Sequence, residues 1–236
     1  MLACSRLGPV RMHFHLPKPL HGWREFAGEV GIIVVGVLIA LGAEQIVETV
    51  HWRDQASATR SALLQDASNN LGAALWRQKQ QGCVNRRLDE IARVFEAHSR
   101  GQRLSLRGPV GHPVFYGGPQ TGWQIALSSQ AVAHMNLKEK LGFGDAFDNY
   151  ANMTDVLKRE QDAWLKLGLL DHQEILNETD WSALHQSEAE AASLSARMQI
   201  ITTYVLANNT LGQSPMQLPD TPGVAAAFHR FCSPIL

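Results

Sequence analysis

An uncharged apolar stretch near the start of the chain constrains the fold most. It runs from Val30 to Ala43, between Trp23 and Trp52. As a helix this stretch is only about 21 Å long, shorter than a hydrocarbon core of roughly 30 Å. Extended over 26–47, the helix measures about 33 Å, and the two tryptophans, which favour membrane interfaces, lie about 43 Å apart. The sequence therefore predicts a single transmembrane helix within residues 23–50.

The flanks of this stretch predict its orientation. Before it come four basic side chains and no acid until Glu25, the basic residues being Arg6, Arg11, Lys18 and Arg24. Because cytoplasmic flanks carry the excess of positive charge, residues 1–22 are predicted to be a cytoplasmic segment. Residues 51–236 then lie on the other side of the membrane.

A cleaved signal peptide is the alternative to a membrane anchor, since 40–42 reads Ala-Leu-Gly and loosely resembles a cleavage site. The segment before the apolar stretch is long for a signal peptide, and no helix breaker follows the stretch. Both features favour the uncleaved anchor. Met12 is a second candidate for the start residue besides Met1.

The rest of the chain is long enough for one domain with a core. About 185 of the 236 residues follow the span, and the formal net charge of −1 gives no reason to expect nucleic acid as a partner. Cys83 and Cys232 fall in this domain, whereas Cys4 precedes the span. In an oxidising compartment such a pair favours a disulfide, and two buried free thiols are the alternative.

Proline placement predicts an all-α fold. The stretches 20–108 and 120–214 contain no proline and are rich in residues that favour helix. We expect the membrane helix to continue to about His98, followed by a Gly/Pro-rich loop over 101–119. Further helices are predicted over 121–136 with Thr121 as N-cap, over 141–170, from Thr179 or Asp180 to about Asn209, and over 223–231. The expected architecture is an antiparallel bundle of four long helices and a short one.

The N-terminal region also carries a family resemblance. Residues 16–26 read LPKPLHGWREF and residues 28–45 read GEVGIIVVGVLIALGAEQ. This sequence resembles the N-terminus of an uncharacterised family of single-pass inner-membrane proteins of Gram-negative bacteria. Beyond residue 55 the likeness is only an outline, a helical region with a Cys before an Arg-Leu pair, here Cys83 and Arg87-Leu88. The resemblance implies a periplasmic domain and supplies no activity.

Two groups of residues are candidates for ligand binding. His112, Phe115 and Tyr116 of the loop, together with Trp123, form an aromatic group beside irregular chain, as many pockets do. Their structural alternative is to plug one end of the bundle. Arg86 and Arg93 share a helix face that suits an anionic ligand or phospholipid headgroup, and a solvated face with salt bridges is their alternative.

Small residues within the span predict a packing surface. Gly36, Ala40 and Ala43 permit close helix approach, which would support a homodimer, although such spacings also arise by chance. His13, His15 and His21 lack acidic or Cys partners, so we expect no metal site there. No catalytic motif, phosphate-binding loop or cofactor signature occurs.

These observations favour a non-enzymatic membrane protein whose helical domain binds a membrane or periplasmic protein partner or a small ligand. One alternative is an enzyme or enzyme subunit with its site at the 101–119 loop. Another is a signal-input subunit that acts through a partner's transmembrane helix, because the cytoplasmic segment is too short for an output domain.

Overall fold

The computed structural model describes residues 22–117, 121–217 and 221–236. All regular secondary structure in these ranges is helical, which confirms the predicted all-α class. The α-helices are α1 (Trp23–Ser99), α2 (Thr121–Ser128), α3 (Leu137–Leu167), α4 (Glu178–Ala207) and α5 (Pro222–Cys232). Two 3₁₀ helices cover Ala131–His134 and Gly168–Ile175. Apart from its last residue, the predicted cytoplasmic segment 1–22 lies outside the described residues.

The chain divides into two compact units, one ending at His51 and the other covering Trp52–Leu236. In the first unit, every described residue is exposed, including the whole apolar stretch of α1. By length and composition α1 is the one helix, among those described, that could cross a membrane. No side chain of this protein covers that apolar surface in the described residues.

The predicted end of the first long helix, at about His98, is confirmed to within one residue, because α1 ends at Ser99. The helix stops where Gly101 adopts a left-handed conformation, with φ +69°. The backbone N–H groups of Arg100 and Gln102 then both donate to the carbonyl of Ala97, at 3.0 and 2.9 Å. These bonds satisfy carbonyls at the helix end, where no further turn is available.

The next boundaries require corrections. The predicted helix over 121–136 is wrong beyond Ser128, because Gln130 has φ +61° and separates α2 from a 3₁₀ turn. α3 begins at Leu137, where Asn136 accepts a hydrogen bond from the N–H of Glu139 at 2.9 Å. α3 thus begins four residues before the predicted start at 141, and Gly142 and Gly144 both lie inside it. Among the described helices only α1, α3 and α4 are long, rather than the predicted four.

The caps of the last two helices also differ from the prediction. α4 begins one turn earlier than expected, because Asn177 is the N-cap and Asp180 is the third residue of a capping box. α5 starts at Pro222 after Thr221, whose hydroxyl accepts from the N–H of Val224 at 3.4 Å. It therefore extends the predicted 223–231 helix by one residue at each end.

Two apolar clusters form the core of the second unit. The first joins 63–74 of α1, 143–157 of α3 and 194–205 of α4. The second joins 84–95 of α1, 163–167 of α3 and 181–191 of α4, together with Phe231 and Ile235. Along the chain, α1 and α3 each contribute to the first cluster before the second, whereas α4 contributes to the second cluster before the first. α1 and α3 therefore run in the same direction, and α4 runs in the opposite one.

The expected antiparallel order therefore holds for α3 and α4 and is wrong for α1 and α3. The physical reason lies in the connection 100–117, which returns along α1 instead of turning at its end. Gln80 of α1 contacts Val114 of this connection, Arg87 contacts Val110, and the connection begins beyond Ser99. A long crossover permits two consecutive long helices to run in parallel.

Candidate functional site

The predicted loop residues lie in different surroundings. His112 is exposed, stacks on Phe115 with ring centroids 5.6 Å apart, and borders a small cavity of about 130 Å³ beside Phe231. Tyr116 meets Trp76 edge to face, with ring centroids 5.8 Å apart.

Trp123 belongs to another part of the core. Its ring stacks on Phe147 at 5.7 Å, and both Tyr116 and Trp123 pack partly buried against the first apolar cluster. Neither residue borders the His112 cavity. The structure thus separates His112 from the two larger aromatic residues, and a common ligand pocket for them stays a prediction.

The remaining predicted residues also have defined positions. Arg86 is exposed and donates from Nη1 to the carbonyl of Cys232 at 2.9 Å. Among the described residues outside the adjoining turns of α1, no atom lies within 4 Å of the position where a Cβ would be at Gly36, and Ala40 and Ala43 are exposed. An anionic ligand at Arg86 and a homodimer through the small residues remain predictions.

Cys83 and Cys232 form the predicted disulfide. Their sulfur atoms are 2.04 Å apart and their Cα atoms 4.9 Å apart. The bond joins the C-terminal third of α1 to the last residue of α5, across a sequence separation of 149 residues.

A buried arginine next to the disulfide holds the connection and the C-terminal segment on α1. The guanidinium of Arg87 donates to the carbonyls of Pro109, Val110, Phe231 and Ser233, and to the carboxylate of Glu90 at 3.2 Å. Burial lowers the pKa of Arg87, and the charge of Glu90 opposes that shift. Because its donors are engaged by the fold, Arg87 acts as a structural residue.

A second buried ion pair links the three long helices. Nη2 of Arg77 in α1 lies 2.6 Å from Oε1 of Glu160 in α3, and 3.2 Å from the hydroxyl of Ser195 in α4. Arg77 and Glu160 are both buried, so each charge depends on the other for compensation. This pair is also structural, since Ser195 and Gln81 complete its hydrogen bonds.

An open cleft lies where α1 ends and α4 begins. It has a volume of about 930 Å³ and is bordered by the end of α1, the start of the connection, the second 3₁₀ helix and the first turns of α4. The ring of His98 stacks on Trp181 with centroids 3.8 Å apart, and Phe95 meets the same tryptophan edge to face at 5.8 Å. This part of the cleft therefore has a rigid aromatic wall.

Most carboxylates of this cleft have partners. Glu178 lies 3.5 Å from Nε2 of His98, Glu96 lies 3.0 Å from Arg100, and Glu174 lies 3.7 Å from Arg103. Each of these groups is at least partly exposed.

Glu188 of α4 differs from these acids. It is half-buried, and within the described residues it has no ion pair at 4.0 Å or less. Burial raises the pKa of Glu188, and the nearby His185 opposes the shift. The carboxyl group is thus partly desolvated, and its basic neighbour among the described residues is His185 of the same helix.

A second cleft continues from the first along α1 and α4. It has a volume of about 490 Å³, and its lining includes Gln81, Asn85 and Gln199. Ala92 and Glu188 border both clefts, so the two adjoin. From Gln81 to Ser99 the α1 side measures about 27 Å at about 1.5 Å per residue. We call the two clefts together the α1/α4 groove.

Sequence reasoning did not find this groove. Its two sides are separated by about 90 residues along the chain, and its lining consists of ordinary solvent-facing helix residues. The one local signal is the pair Trp181 and His185, an aromatic residue and a histidine four apart near the start of a helix. Among the described residues, no group of three or more His, Cys, Asp or Glu side chains could hold a metal ion.

Comparison with known proteins gives no assignment. No protein-family model, curated protein or solved structure matches the chain. The geometry of the chain is therefore the basis for its functional interpretation.

Proposed function

We propose that this chain is a single-pass inner-membrane protein with a cytoplasmic N-terminus and a periplasmic helical domain. In this proposal, the periplasmic domain binds a protein partner or a small ligand in the α1/α4 groove. The observation that carries the membrane part is the exposure of every apolar side chain in 23–50.

Such a surface is unfavourable in water, because removing apolar area from water lowers the free energy by about 25 cal/mol per Å². Exposed apolar residues in this stretch include Ile32, Ile33, Leu38 and Ile39, each more than 60% exposed. A lipid bilayer would remove them from water without any contact from the rest of the protein. The excess of basic residues before the span supports the cytoplasmic side for the N-terminus.

The binding part is supported by the α1/α4 groove. A volume of about 930 Å³ in the larger cleft falls in the range of small-molecule and peptide sites. Its aromatic wall supplies apolar contact area, and its carboxylates supply orientation and specificity.

Reporter fusions test the topology. An alkaline phosphatase fused after His98 should be active, because that enzyme folds in the oxidising periplasm, and one fused before Trp23 should be inactive. The opposite pattern would refute the orientation and the periplasmic location together.

The size of the membrane-bound chain separates anchor from signal peptide. An uncleaved chain should stay with the membrane at alkaline pH and keep its full mass. Cleavage near Gly42 would remove about 4–5 kDa, at ~110 Da per residue, and would release the domain from the membrane.

A further inference from the structure

We infer that the α1/α4 groove binds a basic, extended segment of a partner protein. This inference rests on the proposed function and specifies the chemistry of its partner. It depends on three properties of the groove: its charge, the position of Glu188 and its length.

The groove carries an excess of carboxylates, three of which have a basic partner in the chain. Five carboxylates border it, whereas Arg103 is the one Lys or Arg side chain among its lining residues. The carboxylates belong to Asp89, Glu96, Glu174, Glu178 and Glu188. The whole chain has a formal net charge of only −1, so this excess is local. Complementary charge in a partner increases both the association rate and the specificity.

Glu188 marks the centre of the groove, because it borders both clefts. Its carboxylate has lost part of its hydration, and among the described residues it forms no ion pair at 4.0 Å or less, with His185 as its basic neighbour. A lysine or arginine of a bound segment would supply a permanent positive charge there. Ion pairs in such partly desolvated positions contribute more to binding than those at a solvated rim.

The length of the groove favours a peptide segment over a compact small molecule. At about 3.3 Å per residue, 27 Å accommodates about eight residues of extended chain. Gln81, Asn85 and Gln199 line the second cleft. The amide of Gln81 is engaged by Arg77, Ser195 and Asn85, whereas the amide groups of Asn85 and Gln199 can each still donate a hydrogen bond. Leu88, Phe95 and Trp181 border the groove, but each is only 8% exposed, so they add a small apolar area to a mainly polar surface.

The test uses the full-length protein in a neutral detergent and a fluorescein-labelled peptide of about eight residues that alternates lysine and leucine. A matched peptide carries glutamate in place of lysine. Fluorescence anisotropy should show binding of the lysine peptide and none of the glutamate peptide.

A pair of variants locates the binding. Glu188→Gln should weaken binding of the lysine peptide roughly fivefold to tenfold. The matched control is Glu190→Gln, which removes the same charge two residues later. Glu190 does not border the groove and lies 3.6 Å from Arg159 of α3. The control should bind the peptide as the parent does, and circular dichroism should show that both variants keep the parental helix content.

Other outcomes would overturn the inference in distinguishable ways. Equal weakening by the two variants would indicate general electrostatic attraction, without a role for the groove. Binding of the glutamate peptide as tightly as the lysine peptide would refute the charge argument while leaving a binding groove in place. Glu188-dependent binding of spermidine without binding of either peptide would replace the partner segment by a small cationic ligand. If no probe binds, the inference fails, and the membrane topology is judged by the reporter fusions alone.

Discussion

Two glycines of α1 allow a stability prediction with opposite signs. Gly72 and Gly82 both lie inside the helix, where replacement of Gly by Ala favours the helix by about 1 kcal/mol. At Gly82 no atom of the described residues, apart from its chain neighbours and the nearby backbone of α1, lies within 4 Å of the position that a Cβ would take. At Gly72 that position lies closer to the carbonyl oxygen of Met216 than van der Waals contact allows. Gly82→Ala should therefore stabilise the protein, and Gly72→Ala should destabilise it.

The size of the destabilisation by Gly72→Ala follows from the hydrogen bonds that the segment around Met216 would lose. Its N–H donates to the carbonyl of Ser68 at 2.9 Å, and the hydroxyl of Ser68 donates to the carbonyl of Ser214 at 2.7 Å. Loss of these two bonds costs about 1–3 kcal/mol, and overpacking with backbone shifts adds about 1–3 kcal/mol. After the helix gain, Gly72→Ala should lower the free energy of unfolding by roughly 1–5 kcal/mol.

Urea unfolding of the full-length protein at constant detergent concentration, followed by tryptophan fluorescence, provides the measurement. In the difference between the free energies of unfolding of the two alanine variants, the gain in helix propensity cancels, and the effect of the contact with Met216 remains. It should be roughly 2–6 kcal/mol. Equal stabilisation by both substitutions would refute the close approach of residues 214–216 to α1.

Three further predictions concern the second unit. Reduction of the bond between Cys83 and Cys232 should lower stability by at most about 5 kcal/mol on the loop-entropy scale, and an unchanged unfolding midpoint would contradict a stabilising bond. Arg87→Ala should cost about 3–5 kcal/mol in urea unfolding, because Glu90 and the carbonyls lose their partner, and full rescue by Arg87→Lys would contradict the role of the forked guanidinium. Burial raises the pKa of Tyr150 to about 12, whereas its pKa in the unfolded chain is near 10. Between these pH values the hydroxyl ionises more readily in the unfolded chain, so stability falls as the pH rises. Tyr150→Phe should lessen the loss of stability between pH 10 and 12, and an identical pH profile would refute this contribution.

The sequence was sufficient where a local pattern determines the structure. The absence of proline from 20–108 and 120–214 predicted the long helical regions, and the Ser-Arg-Gly sequence at 99–101 predicted the end of α1. The compartment implied by the apolar stretch predicted the pairing of Cys83 with Cys232. Each of these predictions depends on neighbouring residues or on the chemistry of the compartment.

Long-range contacts were beyond such reasoning. Gly72 and Gly82 look equivalent in the sequence, and only the position of Met216 distinguishes them. The partners of Arg87 are mainly carbonyl groups up to 146 residues away, and carbonyl groups carry no side-chain signature. The α1/α4 groove likewise results from the direction in which α4 returns, which helix periodicity does not specify.

The bonds that hold the connection 100–117 suggest how its sequence can change during evolution. Trp76 and Gln80 of α1 bond to the main chain of Val114, and Arg87 bonds to the main-chain carbonyls of Pro109 and Val110. The connection is thus held through main-chain atoms, which every residue type supplies except for the N–H that proline lacks. Selection should therefore maintain the polar side chains of α1 while allowing most exposed side chains of the connection to diverge, so that this surface can acquire new specificities without loss of the fold.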